Sequence, residues 1–194
     1  MDIGILNDYL KEADKNKKGK DEEFWPIIWN EYINQKLEEF DNLSTKEALH
    51  RIMSELNYKL RSSSMSCEDL GVRIKVGNIC FVDYGVSYIN EAGYQHFGLV
   101  MSITNGKALV VPMTSNAHTY KQSQYKEHLM TIGKIEGMNK ESVLFLNDAR
   151  FINTARIIDV KAYIPKNSEL FNDIQKKLWN CIIGNNLRHN IYPR

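Results

Sequence analysis

Apolar residues in the first third of the chain recur at helical spacing. Residues 1–20 are polar and lysine-rich, ending in KNKKGK, a pattern that predicts a short helix or a frayed tail followed by a loop. From Pro26 onward Ile27, Ile28, Trp29, Tyr32, Ile33, Leu37 and Phe40 mark one face of an amphipathic helix, with Pro26 suited to its first turn. Ser44-Thr45-Lys46-Glu47 has the form of a capping box, in which the serine bonds the amide three residues on and the glutamate reaches back. Leu49, Ile52, Met53, Leu56 and Leu60 continue a second helix from there. The serine-rich stretch from Arg61 to Ser66 reads as a linker.

Beyond residue 70 the period changes from helical to strand-like. Ile79 to Tyr84, Phe97 to Ile103 and Ala108 to Met113 form three strand-like runs. Asn105-Gly106 between the last two is a strong hairpin signal, because both residues tolerate positive φ, and it makes those strands antiparallel neighbours. Further strands are expected at 127–132, 142–146 and 151–160, separated by Gly133, Gly137 and polar turns. After Pro165, Leu170, Phe171, Ile174, Leu178, Cys181 and Ile182 return to helical spacing and predict a closing helix against the sheet. Five to seven short strands with a terminal helix predict a mainly β, α+β fold, a small and partly closed barrel of the SH3-like kind.

A chain of 194 residues, 43% hydrophobic and 25% charged, has the make-up of a globular protein with one core and an extension. No apolar run approaches the roughly 20 residues of a membrane span, and the N-terminus lacks the basic-then-apolar order of a signal peptide, so the expectation is a cytoplasmic protein with no membrane partner. Cys67, Cys80 and Cys181 lack Cys-x-x-Cys spacing and are expected to be thiols, either buried or incidental. The net charge of +1 conceals a division: residues 1–70 carry 10 Lys/Arg against 15 Asp/Glu, and residues 71–194 carry 15 against 9. This places the expected boundary near residue 70, between an acidic helical extension (1–70) and a basic barrel domain with its helix (71–194).

Candidate chemistry gathers in the basic part. His96 lies at the start of the second strand beside Gln95 and five residues after Glu91. An imidazole can take or give a proton near neutral pH, although a loop histidine can equally serve as a surface hydrogen-bonding group. Thr114, Ser115 and Asn116 end the third strand with hydroxyl and amide groups that can donate to phosphate oxygens or simply build a turn. Folding the hairpin at Asn105-Gly106 brings His96 and Thr114 to one end of the sheet. Asp148 and Arg150 follow the strand at 142–146; the arginine could fork onto a phosphate, or the two could pair structurally. His118 and His128 are too far apart for metal-ligand spacing and no glycine-rich phosphate loop is present, so the expectation is chemistry without metal or other cofactor. Tyr84, Tyr88, Tyr94, Tyr120 and Tyr125 fall in expected loops, where rings beside cations can stack on unpaired bases.

Four motifs in order resemble the PemK/MazF family of toxin endoribonucleases, over about residues 74–160. They are Gly77-Asn78-Ile79-Cys80-Phe81-Val82-Asp83; the loop and strand from Glu91 to Ser102; Val110-Val111-Pro112-Met113-Thr114-Ser115; and Ser142-Val143-Leu144 followed by Arg150-Phe151-Ile152-Asn153 and Arg156-Ile157. The resemblance implies an SH3-like barrel forming homodimers, and metal-independent cleavage of single-stranded RNA with no need for DNA. It also implies an antitoxin protein as partner. The matching positions imply that Thr114 and Ser115 contact the scissile phosphate, that Glu91 orders the loop and that Arg150 lies near the dimer or substrate surface; His96 as proton-transfer group, and Gln95, Asn116 and Asp148 as substrate-binding groups, are expectations read from the residues themselves. His96 stands where the family has an arginine, Phe97 where it has proline, and Asn147 where some members carry a catalytic aspartate. The rival expectation keeps the barrel as a catalytically inactive RNA- or protein-binding module.

Overall fold

A computed structural model describes residues 2–183. The chain divides into two compact units, Met1–Leu49 and His50 onward, each described by itself.

The first unit is helical. Helix α1 (Ile3–Glu12) is capped by Asp2, whose carboxylate accepts from the Gly4 amide at 2.6 Å, so the polar front forms a regular helix rather than a frayed tail. A turn of 3-10 helix (Gly19–Asp21) leads to α2 (Trp25–Asp41), which carries Pro26 in its first turn, as its fixed φ and missing N–H favour. Neither helix contains a buried residue; Tyr9 of α1 stacks on Phe24, the residue that precedes α2, at 4.7 Å, and within α2 Trp25 stacks on Trp29 at 5.8 Å. Helix α3 (Thr45–Arg61) starts with the expected capping box: the Glu47 amide donates to Ser44 Oγ at 3.3 Å, and the Ser44 amide to Glu47 Oε2 at 3.1 Å.

The second unit takes up the rest of α3 and builds a seven-stranded, wholly antiparallel sheet. Its strands are β1 (Asn78–Asp83), β2 (Gln95–Thr104), β3 (Lys107–Thr114), β4 (Leu129–Gly133), β5 (Ser142–Phe145), β6 (Arg150–Asn153) and β7 (Ile157–Tyr163). They are ordered β4-β5-β3-β2-β1-β7, with β6 also on β3. The β2–β3 turn has positive φ at both Asn105 (48°) and Gly106 (72°), the conformation a two-residue hairpin turn requires. Alternate residues of the central strands serve two cores. Ile79, Leu99, Val111 and Leu144 pack with Phe171, Ile174 and Leu178 of the closing helix α5 (Glu169–Ile182), while Cys80, Val82, Val100, Val110 and Ile157 form the other cluster. Cys67 and Cys80 are buried free thiols of that second cluster; burial pushes Cys80 up to about 12.

Two expectations need correction. Residues 151–160 are not one strand: Asn153 accepts from the Ala155 amide at 2.8 Å, and buried Thr154 donates to the Gly106 carbonyl at 3.0 Å. This turn (Thr154–Arg156) sends β6 to β3 and β7 to β1. The stretch around Tyr120, expected as a loop, is a short helix, α4 (Ala117–Gln122). Arg61, at the end of α3, donates to the Ala155 and Ile157 carbonyls at 3.3 and 3.2 Å, fastening that end of the helix to the turn before β7. No helix among the described residues is long and apolar enough to cross a membrane.

Candidate functional site

The β2–β3 register sets Phe97 opposite Met113, so one step further along each strand His96 and Thr114 stand side by side at the end of the hairpin. There, with Gln95 and Ser115, they line an open cavity of about 430 Å³, within the range of small-ligand sites. Its apolar wall holds Phe81, Phe97, Met113 and Met138, the two rings tilted against each other at 5.2 Å. Among the described residues its charged lining consists of Lys140 and Lys161, and no carboxylate contributes.

Local bonding sets which atoms of the polar groups can donate and which can accept. His96 Nδ1 lies 2.6 Å from the Gly93 carbonyl oxygen. A carbonyl can only accept, so in the neutral ring the proton sits on Nδ1, and Nε2 is left with a lone pair. Thr114 Oγ1 accepts from the Asn116 amide at 3.2 Å, which leaves its own O–H able to donate. The Ser115 hydroxyl is exposed. Asn116 lies just outside the cavity lining and caps α4, its side chain accepting from the amides of His118 (2.8 Å) and Thr119 (3.3 Å).

Gln95 lines the cavity and also belongs to a buried polar network behind it. Its Nε2 donates to Ser54 Oγ at 2.8 Å and to Asp83 Oδ2 at 3.2 Å, and its Oε1 lies 3.1 Å from His50 Nδ1. Asp83 is 4% exposed and accepts further bonds from Ser54 Oγ (2.7 Å), Asn57 Nδ2 (2.6 Å) and the Gly85 amide (2.9 Å). Burial works to raise the Asp83 carboxyl, but the four donors together outweigh it and hold the group below its ordinary value. The polar face of α3 thus fastens both ends of the loop between β1 and β2.

Glu91, Asp148 and Arg150 form a second cluster, and none of them lines the cavity. Arg150 reaches Asp148 Oδ1 at 2.5 Å, Glu91 Oε2 at 4.0 Å and the Ala92 carbonyl at 3.2 Å, while Asp148 Oδ2 accepts from the Ala92 amide at 2.6 Å. Both hydrogen-bonding groups of the Ala92 backbone are therefore held by this pair. Of the tyrosines, Tyr88 and Tyr125 are exposed, whereas Tyr84 is a core residue: its ring packs in the second cluster, and burial pushes its hydroxyl far up.

Sequence reasoning missed His50, Ser54, Asn57, Asp83, Lys140 and Lys161. Only the helical spacing of His50, Ser54 and Asn57 at i, i+4 and i+7 hinted that one side of α3 is polar by design. Among the described residues no group of three or more His, Cys, Asp or Glu side chains is arranged to hold a metal ion.

Comparison with known proteins gives structural likeness alone. The fold is similar to MazF from Deinococcus radiodurans, with 17% identity over 55% of this chain and 94% of that one and a TM-score of 0.44. It is also similar to an endoribonuclease in complex with its cognate antitoxin from a mycobacterial species (11% identity, 56% and 94% covered, TM-score 0.41). Mycobacterium tuberculosis toxin MazF-mt6 gives similar values (11%, 54% and 94%, TM-score 0.41). No protein-family model and no curated protein matches the chain.

Proposed function

We propose that this protein is a metal-independent endoribonuclease for single-stranded RNA, acting at the cavity lined by His96, Thr114 and Ser115. The observation that carries the reading is the 2.6 Å bond between His96 Nδ1 and the Gly93 carbonyl, which in the neutral ring puts the lone pair on Nε2 of a histidine that lines the cavity. The motif order described above agrees with it and supplies the rest of the proposal, an SH3-like barrel that pairs with a second copy and is restrained by an antitoxin protein.

In the reaction Nε2 takes the proton of a ribose 2′-hydroxyl, and the 2′-oxygen attacks the adjacent phosphorus in line with the 5′-oxygen. The new P–O2′ bond forms as the P–O5′ bond breaks. Water protonates the leaving 5′-oxygen, and the imidazolium returns its proton to solvent. The products are a 2′,3′-cyclic phosphate and a 5′-hydroxyl. The Thr114 and Ser115 hydroxyls donate to the non-bridging oxygens, where negative charge grows in the transition state.

The test is digestion of single-stranded RNA by the full chain in EDTA, followed by analysis of the product ends. Cyclic phosphate and 5′-hydroxyl ends that vanish in His96→Ala and fall in Thr114→Ala are expected. RNA binding without products would instead leave a non-enzymatic binding module.

A further inference from the structure

Phosphodiester cleavage by a neutral base and two hydroxyls leaves the charge of the polynucleotide itself unanswered, and the cavity wall holds two cations that the reaction above does not use. Lys161 stands at an irregularity in the sheet: Ile79 pairs with Ala162 and Cys80 with Val160, so the β1–β7 register passes over Lys161. An extra residue of this kind is a β-bulge, which interrupts the ladder and re-aims a side chain. Lys140 comes from the loop between β4 and β5, and that loop closes onto the bulge at Gly137. Gly137 has φ of 86°, and a Cβ there would sit 3.0 Å from the Lys161 carbonyl oxygen. The positive φ favours glycine there, and a larger residue would also press on the Lys161 carbonyl. Bulge and loop therefore bring two lysines from distant parts of the sequence to one cavity. Both are exposed, and neither forms an ion pair among the described residues.

We infer that Lys140 and Lys161 form a phosphate clamp that holds the backbone of a single-stranded polynucleotide across the cavity, the Phe81–Phe97 wall receiving a base. The inference rests on the endoribonuclease reading for its substrate class. Lysine suits the task because its ammonium is a compact charge with rotatable donors, able to follow a flexible backbone. The tilted ring pair offers an apolar surface to any base, so the clamp selects for a strand and not for a sequence.

The experiment measures binding apart from chemistry. A fluorescent 2′-O-methyl oligoribonucleotide, which lacks the attacking hydroxyl, is titrated with the full chain over a salt series by anisotropy. Each neutralised phosphate contact contributes about 0.7 to the slope of log affinity against log salt for single strands, so Lys140→Gln and Lys161→Gln should each flatten the slope by about 0.7 and the double variant by about 1.4. Lys107→Gln, a charge at the opposite end of the β2–β3 hairpin, should leave the slope unchanged. Gly137→Ala keeps both charges but displaces the loop, and should weaken binding as well. A single-stranded DNA of the same sequence should show the same slope changes, because the clamp reads phosphate.

An unchanged slope in the double variant, equal losses with Lys107→Gln, or a wild-type chain that fails to bind the oligomer would each overturn the clamp. Cleavage of unmodified RNA, measured in parallel, decides the nuclease reading separately. Cleavage with no lysine dependence sinks the clamp alone; lysine-dependent binding without cleavage sinks the reaction alone.

Discussion

Ser54, on helix α3, donates its hydroxyl to the carboxylate of Asp83 at the end of β1, a 2.7 Å bond buried from solvent between residues 29 positions apart. It is the centre of a network in which Asn57 and Gln95 hold the same carboxylate and Gln95 in turn lines the cavity. Helix α3 therefore meets the sheet with hydroxyl and amide groups, while Ile52, Met53, Leu56 and Leu60 on the same helix remain exposed.

Removing one donor leaves a buried acceptor short. Ser54→Ala is expected to cost about 1–3 kcal/mol of stability, the usual penalty for a buried polar group that loses its partner. Equilibrium urea unfolding at neutral pH measures it. The network also sets a pH dependence. The Asp83 carboxyl is held below its ordinary value of 3.8, so the unfolded chain binds its proton more readily than the folded one. Its contribution is complete above 3.8 and is lost as pH falls through the lower native value. Asp83→Asn should therefore lower stability at neutral pH and reduce its further loss on acidification; an acid limb as steep as that of the wild type would contradict the assignment.

Replacing His96 distinguishes its roles. His96→Ala is expected to lower the cleavage rate by on the order of 10²–10⁴ with little change in affinity for the 2′-O-methyl oligomer, as loss of a general base does. His96→Gln keeps a donor toward the Gly93 carbonyl but has no basic nitrogen, so it should be as inactive as the alanine variant. If the glutamine variant cleaves at the wild-type rate, the histidine positions the loop and does not move the proton.

Local signals in the sequence were followed closely by the structure. The Ser44–Glu47 box, Pro26, the Asn105-Gly106 turn and the apolar spacing of Phe171, Ile174 and Leu178 each act within a few residues, where chain connectivity limits the outcomes. The hairpin also placed His96 beside Thr114, because its register follows from a two-residue turn and one bulge. Features that depend on pairing across the sheet were not legible. Lys161 lines the cavity because β7 slips one residue against β1, and no property of residues 157–163 announces the slip. Residues 151–160 read as one strand because the alternation continues through Thr154, whose side chain bonds to Gly106 and interrupts it. Two of the four donors to Asp83, Asn57 and Ser54, lie 26 and 29 residues earlier on helix α3, and no local signal at either end announces that pairing.

Arg150 and Asp148 offer a test of the loop between β1 and β2. Because they bond the Ala92 carbonyl and amide, Asp148→Ala should expose the Ala92 amide to exchange while leaving the core strands protected. Arg150 is partly exposed, so the global cost of Arg150→Ala should be small, about 1 kcal/mol or less. Hydrogen exchange resolved to the loop measures the first effect and thermal unfolding the second. Cleavage should fall in both variants, because Gly93, next to Ala92, supplies the carbonyl that orients His96. Undiminished activity with a loosened loop would show that the His96 tautomer does not depend on this clamp.

Gly98 in β2 sits against the Tyr84 hydroxyl, and this contact separates steric from polar effects. A Cβ at Gly98 would come within 2.2 Å of the Tyr84 hydroxyl and 2.4 Å of Val110 Cγ1, so Gly98→Ala should destabilise by about 1–3 kcal/mol through overpacking. The Tyr84 hydroxyl is buried without a hydrogen-bond partner among the described residues. Removing it in Tyr84→Phe sheds an unpaired polar group and should be neutral or stabilising by up to about 1 kcal/mol. The double variant should then be less destabilised than the sum of the two single changes, since one of the two clashes has gone and the residues touch. Urea unfolding of the four chains closes the cycle; strict additivity would mean that the strand relaxes away from Tyr84 and that the contact with Val110 alone carries the cost.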